Sequence, residues 1–215
     1  MPYYYSERTA QFGEYSAAFI FIDSNLLEYG YEVAGNPHMS AMFASRGWSA
    51  QNHTLEKQLD WIESKLQLHN DKDFVFVLGH HVLGTCAQPM MGMQKLDILF
   101  KKYRPTAYLF GHHHNMQFAK SEYTMYVQSG AGHESTAKIC PEAQWGSNAN
   151  VGFVYATLDG TSKSATFQYI DLNGKILFTA QSLPRVRNGL HLNKSLSNYN
   201  SILDCKDIII IGFLF

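Results

Sequence analysis

Two short runs of consecutive apolar residues, each followed by glycine and histidine, dominate the hydrophobic pattern of this chain. The first run is Phe74–Leu78, followed by Gly79-His80-His81, and the second is Ala107–Phe110, followed by Gly111-His112-His113-His114-Asn115. Runs of this length that are apolar at every position are typical of strands buried on both faces. The pattern therefore predicts two central strands with histidines at their carboxyl ends.

Helical periodicity precedes the first run and separates it from the second. Apolar residues recur at helical spacing from Leu55 to Leu66, which predicts a helix with Thr54 as its N-cap. A second helix is predicted over Gln94–Tyr103. Further strands are predicted over the ranges Ala17–Asp23, Thr124–Gln128, Gly152–Leu158, Ala165–Ile170 and Ile176–Ala180. Alternating strands and helices, followed by antiparallel strands, predict an α/β fold.

The histidines add candidate chemistry to this pattern. A glycine after each strand lets the chain turn sharply, at the sheet edge where open α/β proteins bind ligands. Two neighbouring strands that end in this way would bring His80, His112 and His114 together, and neutral imidazole is the commonest protein metal ligand. A lone histidine is more often an ordinary core or surface residue. Here the motif repeats after a helix-sized interval, which favours a metal site.

The two histidine motifs resemble the last two of the five motifs of calcineurin-like metallophosphoesterases. The flanking segments Thr106–Gln117 and Gln128–Gly132 resemble those of purple acid phosphatases of the small, tartrate-resistant type. The resemblance extends from about Met1 to about Arg187, so residues 1–187 are predicted to be the C-terminal part of one metallophosphoesterase domain. Residues 188–215 form an atypical tail with an apolar end, which we interpret as translated intron or frameshifted sequence.

The resemblance implies a fold and a set of site residues. The fold is an α/β/β/α two-sheet sandwich, of which this chain would supply one mixed sheet with its flanking helices. The site is a dinuclear metal centre in which iron pairs with iron, zinc or manganese. By this resemblance His80 and His112 bind one metal and His114 binds the other. Three neighbouring residues are candidates for contacts with substrate or with the ligands, namely His81, His113 and Asn115.

The resemblance also implies a reaction, phosphomonoester hydrolysis on a small molecule or a phosphopeptide. Two metals roughly 3.5–4 Å apart would activate a hydroxide and hold the oxygens of an in-line displacement at phosphorus. The family's remaining ligands lie on three earlier motifs, and none of the three occurs in this sequence. The chain is therefore predicted to carry only the second half of the site, with the N-terminal half of the domain as its missing partner. No catalytic residue is identified.

Three interpretations remain open at this point. The first is the C-terminal part of an acid phosphatase-like enzyme, and the second is a catalytically inactive remnant that binds a metal or a partner. The third is an unrelated histidine-rich metal-binding domain. Under the first interpretation, one face of the sheet should lie open without the missing half, and the chain alone should be insoluble or heterogeneously oligomeric.

Composition excludes some function classes and leaves the compartment open. Seventeen basic residues balance 18 acidic ones, so no charge excess favours nucleic acid or an anionic membrane surface. No apolar run approaches the roughly 20 residues that span a bilayer. The N-terminus lacks the basic and apolar regions of a signal peptide, although members of the resembled family are often secreted or lysosomal. Three cysteines are too few and too scattered for a disulfide framework.

Overall fold

The larger of two sheets, which we call the main sheet, carries the two predicted histidine strands. The computed structural model describes residues 5–30, 54–84 and 91–185, together with residues 41, 44, 45, 47, 208 and 209. The main sheet has the strand order β1-β2-β3-β4-β6-β5-β7, with β2, β3, β4 and β6 mutually parallel and the other pairs antiparallel. Its strands are β1 (Ser6–Phe12), β2 (Tyr15–Phe21), β3 (Phe74–Leu78), β4 (Ala107–Phe110), β5 (Met116–Lys120), β6 (Met125–Ser129) and β7 (Trp145–Ser147).

A second, antiparallel sheet, which we call the small sheet, has the order β10-β9-β8-β11. Its strands are β8 (Gly152–Asp159), β9 (Ser164–Asp171), β10 (Ile176–Ser182) and β11 (Ile208–Ile209). A tight turn at 171–174 joins β9 to β10, and Gly174 adopts a left-handed φ of 78° there. Strand β11 belongs to the predicted tail and pairs with β8. The rest of residues 188–215 lies outside the described residues.

Helices cover one face of the main sheet. Within the described ranges these helices are α1 (Ser24–Tyr29), α2 (Leu55–Leu68) and α3 (Met91–Tyr103). The predicted N-cap is confirmed, because Thr54 Oγ1 accepts a hydrogen bond of 3.2 Å from the Lys57 N–H. The periodic apolar side chains of α2 and α3 pack with Val75 and Val77 of β3 in one core. None of the described helices combines the length and the apolar character that crossing a membrane requires.

The small sheet covers the opposite face of the main sheet. Phe74, Phe76 and Leu78 of β3 belong to a second core, which includes alternate side chains of β8 and β9. Phe76 meets Phe167 of β9 edge to face, with ring centroids 6.2 Å apart. Because all five residues of β3 are buried, the expected open face is absent from the described part of the chain. The expectation of an open face was wrong, since the chain's own later strands fold back over it, and this removes the reason for expecting the chain alone to be insoluble.

Strand β1 is fixed to α2 by an ionic cluster. The Glu7 carboxylate accepts a hydrogen bond of 2.6 Å from Lys65 Nζ and also contacts His69 Nε2. Burial raises the pKa of Glu7, but the hydrogen bonds from Lys65 and His69 outweigh burial and hold the pKa below its ordinary value. This cluster ties the edge of the main sheet to the helical layer.

The predicted α/β class, with a mixed sheet and flanking helices, is confirmed. Several details differ from the sequence-based expectation. Helix α3 begins at Met91 and not at Gln94, and strands β1, β5 and β7 were not predicted. Buried Cys140 is disulfide-bonded, a bridge that the scattered spacing of the cysteines did not reveal.

Candidate metal centre

The carboxyl ends of β3 and β4 place the two histidine motifs side by side. The strands are parallel neighbours, with Leu78 opposite Leu109. Beyond this pair the backbones stay connected, because Gly79 N–H donates to Leu109 O and Gly111 N–H donates to His80 O, each at 3.1 Å. A Cβ on Gly79 would lie 2.6 Å from the hydroxyl of Tyr108. Glycine is therefore required where β3 turns into its histidines.

His80, His81 and His112 form one cluster at this edge. Each offers a nitrogen, and these nitrogens lie within 4.8 Å of one another. His80 Nε2 and His112 Nδ1 are only 3.2 Å apart. The three ring centroids are separated by 4.8–5.1 Å. Within the part of the chain that the structure describes, this cluster contains no carboxylate.

The backbone at His112 is strained. His112 has a φ of 64°, in the left-handed region that side chains other than glycine rarely occupy. The His112 side chain is exposed, so no free energy from burying its ring offsets the cost of this backbone conformation. Outliers of this kind cluster at functional sites, where the surrounding structure imposes them. In this conformation His112 Nδ1 lies 3.2 Å from His80 Nε2.

His81 is held by the start of α1. Ser24 Oγ lies 3.0 Å from His81 Nδ1 and accepts hydrogen bonds from the backbone N–H groups of His80 and His81, at 2.8 and 3.0 Å. The Tyr108 hydroxyl donates to the His81 carbonyl at 2.8 Å. His81 is 3% exposed and Ser24 is 1% exposed. The ring is thus fixed in position on the buried side of the cluster.

His114 lies outside the three-histidine cluster. Its Nδ1 contacts Oε1 of Glu134, and both side chains are partly exposed. The loop that carries Glu134 is tied to the motif, because the backbone N–H groups of Thr136 and Ala137 donate to the His114 carbonyl at 2.9 and 3.1 Å. The structure therefore brings His80 and His112 together with His81, and it pairs His114 with a carboxylate.

His113 and Asn115 flank His114 in the second histidine motif. Asn115 is fully buried. Its side-chain amide donates to the carbonyls of Ala137 and Lys138, at 3.2 and 2.9 Å, while its oxygen accepts from Gln117 Nε2 at 2.8 Å. Asn115 therefore braces the loop against β5. His113 is half-buried, and burial lowers its pKa, with neighbouring His112 and His114 acting in the same direction.

Burial keeps two imidazoles of the cluster, His80 and His81, neutral. Burial lowers the pKa of His80 to about 4, and nearby His112 and His114 reinforce the shift. Burial likewise lowers the pKa of His81 to about 3, reinforced by His80 and His112. At neutral pH both imidazoles are uncharged, which is the form that binds a metal or donates and accepts hydrogen bonds.

Two contributors to the site were missed by sequence reasoning. Ser24 follows Asp23, whose carboxylate caps α1 by accepting hydrogen bonds from the backbone N–H groups of Asn25 and Leu26. A polar residue directly after a buried strand indicates a position at the sheet edge, as Ser24 has. Its contact with His81 was not predictable, because the two residues are 57 positions apart in the sequence. For Glu134, the sequence offered no indication of a role at the site beyond its position shortly after the segment Gln128–Gly132.

Comparison with known proteins finds curated acid phosphatases that are similar in sequence to this chain. No protein-family model matches the chain. Tartrate-resistant acid phosphatase type 5 from Rattus norvegicus is 33% identical over 142 residues, which are 60% of this chain and 42% of the rat enzyme. The Homo sapiens enzyme is 34% identical over 142 residues, with the same coverage. The chain is related, over part of its length, to the tartrate-resistant acid phosphatases. It spans about two fifths of the length of these curated relatives.

One solved structure shares the fold of this chain over most of its length. The protein described as GAP50, the anchor in the inner membrane complex of Plasmodium, aligns with a TM-score of 0.66. The alignment covers 87% of this chain and 57% of that one, at 19% sequence identity. At this identity the likeness concerns the fold alone. The relation to the tartrate-resistant acid phosphatases rests on sequence, and those relatives are phosphatases.

Proposed function

We propose that this chain is part of a metal-dependent phosphomonoester hydrolase of the purple acid phosphatase type. The observation that carries the proposal is the pair of nitrogens, His80 Nε2 and His112 Nδ1, held 3.2 Å apart at the carboxyl edge of two parallel strands. Relatives that share a third of their aligned residues with the chain are phosphatases. The proposed substrate class is a phosphate monoester, either a small molecule or a phosphopeptide.

The donor set fits a divalent metal ion. Two nitrogen ligands of one Zn²⁺ ion, each about 2.0–2.1 Å from it in tetrahedral geometry, lie about 3.3 Å apart. The separation of His80 Nε2 and His112 Nδ1 agrees with this value. Imidazole suits divalent ions such as zinc, whereas the two neutral rings of this pair bring no negative charge to stabilise a trivalent ion. We therefore assign Zn²⁺ or Co²⁺ to this pair.

The remaining residues have supporting roles in the proposal. When bound, a divalent ion supplies Lewis acidity that polarises a phosphoryl oxygen. His80 and His112 would hold this ion, and His114 would hold a second ion beside it. Glu134 contacts His114 Nδ1 and so would fix the ring with Nε2 free, as carboxylates do for metal-binding histidines. The other ligands of a two-metal site would come from an N-terminal half of the domain.

A cobalt titration followed by phosphorus NMR tests the proposal. Calorimetry should show one Co²⁺ bound per chain, and the paramagnetic ion should broaden the ³¹P resonance of added inorganic phosphate. The matched control is His112→Ala, which should weaken cobalt binding at least tenfold and abolish the broadening. Unchanged binding in His112→Ala would place the metal elsewhere. Cobalt binding without phosphate broadening would support a metal-binding remnant in place of a phosphatase.

A further inference from the structure

Among the residues that the structure describes, the hydroxyl of Ser24 has three hydrogen-bonding partners, all at the histidine cluster. It accepts the backbone N–H groups of His80 and His81, at 2.8 and 3.0 Å, and it lies 3.0 Å from His81 Nδ1. A serine hydroxyl has two acceptor lone pairs and one proton to donate. The two backbone N–H groups take both lone pairs. The remaining proton is therefore available only to the third partner, His81 Nδ1.

This arrangement selects one tautomer of His81. When Nδ1 accepts a proton from Ser24, the hydrogen of the neutral ring resides on Nε2. The opposite tautomer would aim a third N–H at the Ser24 oxygen, whose lone pairs are already used. It would also leave the Ser24 proton without an acceptor at a buried position, which costs free energy. The Nε2–H form satisfies every one of these groups.

The surroundings of Ser24 keep the arrangement rigid. Asp23, the preceding residue, is clamped by Gln58, which accepts from the Asp23 N–H at 2.7 Å and donates to its carbonyl at 3.0 Å. Gln58 is fully buried in α2, and Ser24 is 1% exposed. On the other side, the Tyr108 hydroxyl holds the His81 carbonyl. Ser24 and His81 are both buried, so breaking these hydrogen bonds would leave polar groups without a partner at a buried position, which costs free energy.

A metal ligand needs a lone pair on the nitrogen that faces the ion, and an Nε2–H nitrogen has none. We infer that His81 is a fixed hydrogen-bond donor within the cluster and not one of its metal ligands, with Ser24 as the residue that sets this role. Its chemical partner is an anionic oxygen, and under the proposed function, on which this assignment of the ligand rests, that oxygen belongs to the phosphoryl group. His80 and His112 then remain the cluster's metal-binding pair.

The tautomer can be measured without metal or substrate. Long-range ¹H–¹⁵N correlation spectra of the metal-free chain at neutral pH distinguish a protonated from an unprotonated imidazole nitrogen, and His81→Gln identifies the His81 signals by their loss. We expect Nε2 to be protonated and Nδ1 to be unprotonated. Ser24→Ala should convert this single form into a mixture, and Ser24→Thr, which keeps the hydroxyl, should retain it. A protonated Nδ1 in the wild-type chain would overturn the inference.

Two variants of His81 separate a donor from a ligand. Glutamine can present an amide N–H near the position of Nε2–H but offers no imidazole lone pair, whereas phenylalanine offers neither. Cobalt affinity should change less than twofold in His81→Gln but fall at least tenfold in His112→Ala. Inorganic phosphate should bind the cobalt-loaded His81→Phe chain about tenfold more weakly than wild type, and the His81→Gln chain within threefold of it.

The outcomes separate this inference from the proposed function. A tenfold loss of cobalt affinity in His81→Gln would make His81 a ligand and overturn the donor role. Failure of the wild-type chain to bind cobalt would contradict the proposed function, while the tautomer measurement would still decide the role of Ser24. Circular dichroism and amide spectra establish that each variant retains the wild-type fold.

Discussion

The left-handed backbone of His112 makes a prediction about stability that is independent of any ligand. With a φ of 64°, position 112 should be one of the few in this chain where glycine is a better residue than alanine. Both His112→Gly and His112→Ala remove the imidazole and its contacts with His80. Comparing the two variants with each other therefore isolates the backbone conformation from the loss of the side chain.

The magnitude follows from two opposing terms. A residue with a Cβ in the left-handed region costs roughly 1–2 kcal/mol relative to the right-handed region. Glycine avoids this cost. At an ordinary position, however, glycine lowers the stability by about 0.5–1 kcal/mol relative to alanine, because it loses more conformational entropy on folding. At the middle of both ranges, the balance makes His112→Gly more stable than His112→Ala by about 0.75 kcal/mol. In a chain of this length the difference corresponds to about 1.5–3 °C in melting temperature.

Urea unfolding of both variants, monitored by circular dichroism, measures this difference. Exposed Lys120 in β5, which is not among the residues with positive φ, provides the matched control. There the order should reverse, with Lys120→Gly less stable than Lys120→Ala. If His112→Ala proves as stable as His112→Gly, the strained conformation at the site is refuted. If both pairs favour glycine, the effect is not local to the cluster.

Three other perturbations test the site, the ionic cluster and the core. The chain alone should hydrolyse an aryl phosphate no faster than its triple variant His80→Ala, His112→Ala, His114→Ala, because the family's earlier ligand motifs do not occur in this sequence. A metal-dependent rate clearly above the variant would contradict this. Glu7→Gln should destabilise the chain by about 0.5 kcal/mol at pH 6. Because the pKa of Glu7 is lowered in the folded state, its contribution is present above the unfolded pKa of about 4.5 and is lost as pH falls through the folded value. Unfolding at pH 6 and pH 3 measures this loss, and an equal difference at both would count against it. Phe167→Ala should cost about 3–5 kcal/mol in one cooperative transition, whereas two separate melting steps by calorimetry would show that the sheets fold independently.

The parts of the fold that were predictable from sequence are those governed by local pattern. Strands β3 and β4 are apolar at every position because helices cover one face and the small sheet covers the other. Helix α2 follows its apolar period and its Thr54 cap. By contrast, β1 mixes Arg8 and Thr9 with apolar residues and has two consecutive exposed positions, so no period-2 alternation marks it as a strand.

The site was predictable only as far as its motifs. The two glycine-histidine motifs predicted that His80 and His112 lie close together, since parallel neighbouring strands end at the same edge of a sheet. They did not reveal the role of His81, which depends on a serine hydroxyl 57 residues away. Nor did they reveal the partner of His114, which comes from a loop 20 residues later. Hydrogen bonds between distant residues leave no periodic trace in the sequence.

The closed core changes how experiments on this chain are to be interpreted. The expectation of an open sheet face came from the family resemblance, whereas the sequence of β8 already contained the opposing signal. Val154, Ala156 and Leu158 alternate with more exposed residues and pack into the core that faces β3. Because this core forms within the chain, a loss of activity need not reflect a loss of folding. Metal binding, the tautomer of His81 and the strain at His112 can therefore each be measured on the chain itself, whatever further ligands hydrolysis requires.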